Sequence, residues 1–320
     1  MQDPAVIQYL TRQQLDIRKW DAAIARAANG LPYAYSTYLD HMSRQWSALV
    51  LGDYEAVMPL TWNSKYGIAY LYQPPFTAQL GVFGNQLTPA LLQAFLAAIP
   101  KKFRLIEIEL NQANSLTSSQ IIPQLTSKPG DLSINLRNNY VLNLQHSYET
   151  LQSQYRENIR RNIRKAQQLN NRYETGIPIS EVISLSKSQM QGISNITDDD
   201  YRNFESLFNE LKEQHKALAC GVYDASNQLI SSCAYVISNK RACYILVGNH
   251  PNGRTSGASH FLIDRFIHQH AGQDLILDFE GSDIRNLAFF YSSFGASLEL
   301  YPSLRINRLP LLARVLKNRL

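Results

Sequence analysis

Apolar residues recur at helical spacing in some stretches of the chain and alternate with polar ones in others. The switches between the two periods mark its elements. Ile17 to Ala28 reads as a helix closed by Asn29-Gly30, a C-terminal stop. Trp46 to Leu51 and Tyr54 to Thr61 read as a hairpin across Gly52-Asp53, and Ile68 to Tyr72 as a strand halted by Pro74-Pro75. Pro89 to Ile99 is helical. Arg104 to Leu110 alternates, with Ile106, Ile108 and Leu110 on one face, and Ser115 to Asn139 is polar and turn-rich. A short strand, Tyr140 to Leu144, precedes a long helical pattern from Ser147 in which Leu151, Tyr155, Ile159, Ile163 and Ala166 form one stripe.

The second half runs to a similar plan. Leu218 to Tyr223, Gln228 to Ile237 and Ala242 to Val247 read as a meander. Asn249 to Ala258 reads as a glycine-bearing turn, Ser259 to Ala271 as a helix and Leu275 to Phe279 as a strand. A helix ending at Ala296 and a last strand, Ser297 to Ile306, follow, with Pro302 expected at a bulge or edge. Meander, helix and strand twice over predict two copies of one α+β unit, residues 1–144 and 145–320. The length of 320 residues suits two domains, each with its own core.

Composition adds three points. No apolar run approaches the roughly 20 residues that span a bilayer, so stable membrane insertion is not expected. The first residues lack a signal peptide's basic and apolar regions, and Cys220, Cys233 and Cys243 all fall in predicted strands. Both features suit a cytoplasmic protein with reduced thiols. The net charge of +5 is local: Arg156, Arg160, Arg161, Arg164, Lys165 and Arg172 face Glu157 alone, and Arg305, Arg308, Arg314, Lys317 and Arg319 form a weaker second patch.

Tyr155-Arg156-Glu157-Asn158-Ile159-Arg160-Arg161-Asn162-Ile163-Arg164-Lys165-Ala166 resembles the basic R-x-x-R-R-x-I-x-K-A segment of the FemABX-like branch of the GNAT superfamily. Asp278-Phe279-Glu280-Gly281-Ser282, followed by Phe290-Tyr291-Ser292-Ser293-Phe294-Gly295, resembles that family's glycine turn and F-K-x-x-F-G ending. The resemblance implies two tandem GNAT-like domains, each a mixed, largely antiparallel sheet flanked by helices. It also implies transfer of an acyl or aminoacyl group to an amine in the cleft between them. Family members that use aminoacyl-tRNA and a cell-wall precursor carry lysine where this chain has Tyr291, and tyrosine offers no fixed charge to a phosphate. Tyr291 with Gly295 instead fits the Y-x-x-x-G ending of acyl-CoA-dependent enzymes, so acyl-CoA is the expected co-substrate and aminoacyl-tRNA the alternative. A third reading is a non-catalytic module that binds an anion or RNA on the same fold.

Acyl transfer needs a neutral amine, a site for the carbonyl oxyanion and a proton for the leaving group. The resemblance places the oxyanion contact at the backbone of Val247 and Gly248. Gly253, Arg254, Ser256, Gly257 and Ala258 open a helix and would seat the donor's phosphates; a plain strand-to-helix turn is the alternative. Tyr291 is the candidate acid and Glu280 the candidate base, with Asp278 a substitute; a packed aromatic and a surface carboxylate are the alternatives. Arg156, Arg160, Arg161, Arg164 and Lys165 form either an anion- or tRNA-binding surface or a solvated face. His260 reads as a helix-surface or satisfied core residue. Asp198 to Asp200 read as the cap of a helix starting at Tyr201. No metal-ligand spacing occurs, and none is expected. The acceptor is expected to be a small-molecule or peptide amine.

Overall fold

The computed structural model describes residues 6–114, 131–192, 195–281 and 283–310. They fall into two compact units, one of residues 1–137 with 300–320, the other of residues 138–299. Residues 115–130, Ser282 and the cations Arg314, Lys317 and Arg319 lie outside the described residues.

The first unit begins with β1 (Ile7–Thr11), α1 (Ile17–Arg26) and α2 (Ser36–Met42), followed by the meander β2 (Gln45–Leu51), β3 (Ala56–Lys65) and β4 (Ile68–Leu71). After the two-residue β5 (Phe83–Gly84), α3 (Pro89–Ala98) crosses over to β6 (Phe103–Glu109). Asp16 starts α1 by accepting from the backbone of Arg18 and Lys19, and Thr88 does the same for α3. The strand order is β1-β2-β3-β4-β6, then β13 (Ser297–Asn307), with β4 and β6 parallel and the other pairs antiparallel. Phe95, Leu96 and Ile99 pack under Leu49, Met58, Leu60, Phe103 and Ile106 to form its core.

In the second unit β7 (Leu132–Asn143), which starts in the first, precedes α4 (Tyr148–Ser153), α5 (Glu157–Gln168), β8 (Arg172–Thr175), α6 (Ile179–Met190) and α7 (Asp198–Glu213). The meander β9 (Ala217–Tyr223), β10 (Leu229–Ser238) and β11 (Arg241–Asn249) follows. Then come α8 (Pro251–Ser256), α9 (Ala258–His270), β12 (Ile276–Asp278) and α10 (Arg285–Ser292). The order is β7-β12-β11-β10-β9-β8, with β11 and β12 the parallel pair. Stacking of Tyr235 on Phe266, with centroids 3.9 Å apart, ties this sheet to α9. Each unit is therefore a mixed, largely antiparallel sheet flanked by helices. No helix among the described residues is long and apolar enough to cross a membrane.

Several expectations are corrected. The polar stretch before Asn139 is strand from Leu132 onward, because backbone pairing carries β7 where side-chain alternation is weak. The long helix from Ser147 is two helices: Arg156 turns extended, its N–H donates to Ser293 O at 2.9 Å, and the apolar stripe continues across the break. The Asn249–Ala258 turn contains α8, which His250 caps and Pro251 begins. Pro302 sits in β13, between β6 and β7 rather than at an edge; pairing with β6 starts one residue later, at Ser303. Thr197, not the aspartates, caps α7, exchanging bonds with Asp200 in a capping box.

Candidate active site

The second unit's parallel pair is brief. Arg241, Ala242 and Cys243 of β11 pair with Ile276, Leu277 and Asp278 of β12. Past Cys243 no strand among the described residues pairs with β11 on that side. Tyr244 to Asn249, which include Val247 and Gly248, continue with β10 as their strand partner. Polar backbone groups on such an edge seek a partner. Gly248 also has a packing reason to be glycine, since a Cβ there would lie 2.7 Å from the Ser186 nitrogen of α6. Gln189 from the same helix accepts the Asn249 N–H at 2.6 Å.

Tyr291 and Glu280 come together at this end of β12. Tyr291 on α10 stacks on Phe279 at 4.7 Å and 18° and meets Tyr244 edge-on at 6.4 Å. Its side chain is buried, and its hydroxyl bonds to no described residue. Burial, with the nearby charge of Glu280, raises its pKa, so the phenol stays protonated at neutral pH. Glu280 is half-buried at a left-handed φ of 51°, a conformation held partly by its N–H donating to Asp278 Oδ1 at 2.8 Å.

Asp278 is committed elsewhere. Arg241 donates to it at 2.5 Å and to both oxygens of Glu299 at 3.0 and 3.1 Å. Burial alone would lower the Arg241 pKa, but the two carboxylates more than offset it and raise it. This triad anchors the strand end from which Glu280 projects. Nothing in the sequence singled out Arg241, whose partners lie 37 and 58 residues away.

The glycines of the expected phosphate seat both serve packing. A Cβ on Gly253 would strike the Ile230 carbonyl of β10, and one on Gly257 the Asn162 carbonyl of α5. Gly257 also adopts the left-handed conformation, at φ 79°, that joins α8 to α9. Ser256 and Ala258 flank this joint, while Arg254 is exposed on α8.

The five helix cations are not one uniform surface. Arg156 lies over the Phe289 ring at 4.8 Å, Arg160 donates to the carbonyls of Gln152 and Ser153, and Arg164 pairs with Glu157 at 2.6 Å. Arg161 and Lys165 remain exposed without a described partner.

His260, in the first turn of α9, is half-buried and is not satisfied. Asn162 Nδ2 lies 3.3 Å from its Nε2, leaving the proton of a neutral ring on Nδ1, which is buried without a partner. Burial lowers its pKa to about 4. Asp264, one turn on, is also buried; it accepts from the Tyr148 hydroxyl at 2.8 Å, and burial raises its pKa. A carboxylate on the apolar face of α9 was the one signal in the sequence for it. Among the described residues no group of His, Cys, Asp and Glu side chains could hold a metal.

No protein-family model and no curated protein sequence matches the chain. Solved structures do match. FemX superposes with a TM-score of 0.67 at 13% identity, over 96% of this chain and 99% of that one. A conserved protein of unknown function from Bacteroides thetaiotaomicron gives 0.58 at 11%, over 94% and 100%. L-PGS from Bacillus licheniformis gives 0.54 at 10%, over 95% and 96%. The fold is the one these proteins share, as the resemblance in the arginine-rich segment and the Asp278–Gly295 stretch implied.

Proposed function

We propose that the protein is an N-acyltransferase of the FemABX/GNAT kind, built as two GNAT-like domains over residues 1–144 and 145–320, whose second domain takes acyl-CoA. The observation that carries this reading is the parting of β11 from β12 after three paired residues, with Tyr291 and Glu280 beside the opening. Amide groups of a pantetheine arm suit an unpaired strand edge. A backbone N–H near Val247 or Gly248 would hold the oxyanion while the amine attacks the thioester carbon. Glu280, directly or through water, would take the amine's proton, and Tyr291 would protonate the departing thiolate. The raised pKa keeps that proton available but makes Tyr291 a weak acid, which puts its contribution toward the low end of the general-acid range, roughly 10². Ser256, Gly257, Ala258 and Arg254 remain the proposed phosphate seat.

A second reading, an aminoacyl-tRNA donor, is favoured by the overlay with FemX and by the free cations Arg161 and Lys165. Engagement of Arg156, Arg160 and Arg164 within the chain counts against it.

Thermal denaturation with acetyl-CoA, longer acyl-CoAs and tRNA in parallel separates the two. Acyl-CoA is expected to raise the melting temperature with concentration, the equivalent of about 2.7 kcal/mol at 100 times Kd. A shift with tRNA alone would replace the first reading by the second. Tyr291→Phe, which keeps the stack on Phe279, should retain the donor-induced shift and lower turnover by roughly 10² or more. Full turnover in that variant would return Tyr291 to the core.

A further inference from the structure

The first unit holds a cavity of about 280 Å³ that the proposed chemistry leaves unused. It lies where β1, the start of β2, β3 and the turn before β6 meet. Trp46 and Trp62 contribute aromatic walls, and Arg12, Arg44 and Lys102 contribute three cations against one carboxylate, Asp40.

Two of those cations are held in place. Arg12 donates to both oxygens of Asp40, at 2.8 and 2.7 Å, and lies over the Trp46 ring at 5.4 Å. Lys102 donates to the Tyr9 hydroxyl at 2.8 Å and stands over the rings of Tyr9, Trp62 and Phe103 at 4.7 to 5.3 Å. Arg44 pairs with no carboxylate among the described residues, so Asp40 answers Arg12 and leaves Arg44 and Lys102 uncompensated. Ser47 also lines the cavity; it is 1% exposed, and its hydroxyl is buried without a hydrogen-bond partner. A buried orphan hydroxyl is costly unless something fills it, and cations already fixed by aromatic faces lose little freedom on binding.

We infer that this cavity binds a small organic oxyanion, a carboxylate or phosphate ester carried on a flat apolar body. The anion would sit between Arg44 and Lys102, with the Ser47 hydroxyl as a further donor and the flat body against Trp62. A cationic ligand is disfavoured because Lys102 already occupies the aromatic faces. The size, near the lower end of ligand pockets, limits the body to about one ring. The inference is independent of the proposed transfer reaction.

Trp46 and Trp62 are two of the protein's three tryptophans, so intrinsic fluorescence of the full chain reports on the site. Titration with phenyl phosphate and with benzoate should give saturable changes at millimolar concentration or below, and benzyl alcohol should give none. The tighter of the two anions identifies phosphate ester or carboxylate as the natural group. Arg44→Gln with Lys102→Met should raise Kd roughly ten- to a hundredfold. Ser47→Ala, a small change in case the double variant is poorly folded, should weaken binding severalfold. The site is overturned if neither anion saturates, if benzyl alcohol binds as well, or if the variants bind like the wild type. Inorganic phosphate binding as tightly as phenyl phosphate would overturn the seat for a flat body.

Discussion

The two units share a plan, and the difference between them lies at one place. In each, a meander leads through a crossover helix to a strand parallel to the meander's last: β4 with β6, and β11 with β12. In the first unit the chain after β4 folds back along the end of β6. Leu80 bridges Leu110, the Leu80 N–H donates to Glu109 O at 2.7 Å, and Gln73 Oε1 accepts from the Glu109 N–H. Asn111 and Asn114 then fasten that segment by bonds to the backbone of Leu80 and Val82. Among the described residues no such segment runs along the open edge of β11 in the second unit, which is bordered instead by Tyr244, Tyr291 and Glu280. A shared topology can hold either a filled or an open edge; local side chains decide which.

The anchors differ in the same sense. Arg241 and Asp278 are 12% and 3% exposed at their side chains, whereas Arg137 and Glu109 of the first unit are 42% and 16% exposed. Arg241→Met strands two carboxylates and should cost about 3–5 kcal/mol in urea denaturation. Arg137→Met should cost about 1 kcal/mol or less. Equal losses would erase the contrast between a buried anchor and a peripheral one.

His260 gives the second unit an acid sensitivity. Its folded pKa of about 4 lies below the ordinary 6.5, so between those values the unfolded chain takes up a proton that the folded chain refuses. Its contribution is full above pH 6.5 and is lost as pH falls toward 4, by about 3 kcal/mol. His260→Gln should flatten that part of the stability–pH curve by one proton. An unchanged slope would mean the ring protonates freely in the fold.

A further test addresses the filled edge. Asn114→Ala frees the Val82 N–H and should cost about 1–3 kcal/mol, yet leave the acyl-CoA-induced rise in melting temperature unchanged. A loss of that rise along with stability would show that the first unit takes part in seating the donor, and the comparison would fail.

Much of this organisation was legible in the residues. The hairpin at Gly52, the alternation at Ile106, Ile108 and Leu110, and the stripe Leu151, Tyr155, Ile159, Ile163, Ala166 each follow from a local period that burial then satisfies. The nearness of Tyr291 to Glu280 was implied by a resemblance in short motifs. Less legible were β7, whose strand rests on backbone pairing, and the glycines at 253 and 257, which exist for the close approach of β10 and α5.

Periodicity, turn chemistry and capping act within a few residues, so the sequence by itself determined many of the elements, the repeated plan and the candidate residues at the end of β12. Which of two similar strand pairs stays open, which arginines are free and which histidine is left with an unsatisfied nitrogen depend on partners dozens of residues away. Arg241 reaches Asp278 and Glu299 across 37 and 58 residues of sequence, and Asn162 reaches both His260 and Gly257 from another helix. Those pairings exist because packing brings the elements together, so only the tertiary structure could decide them.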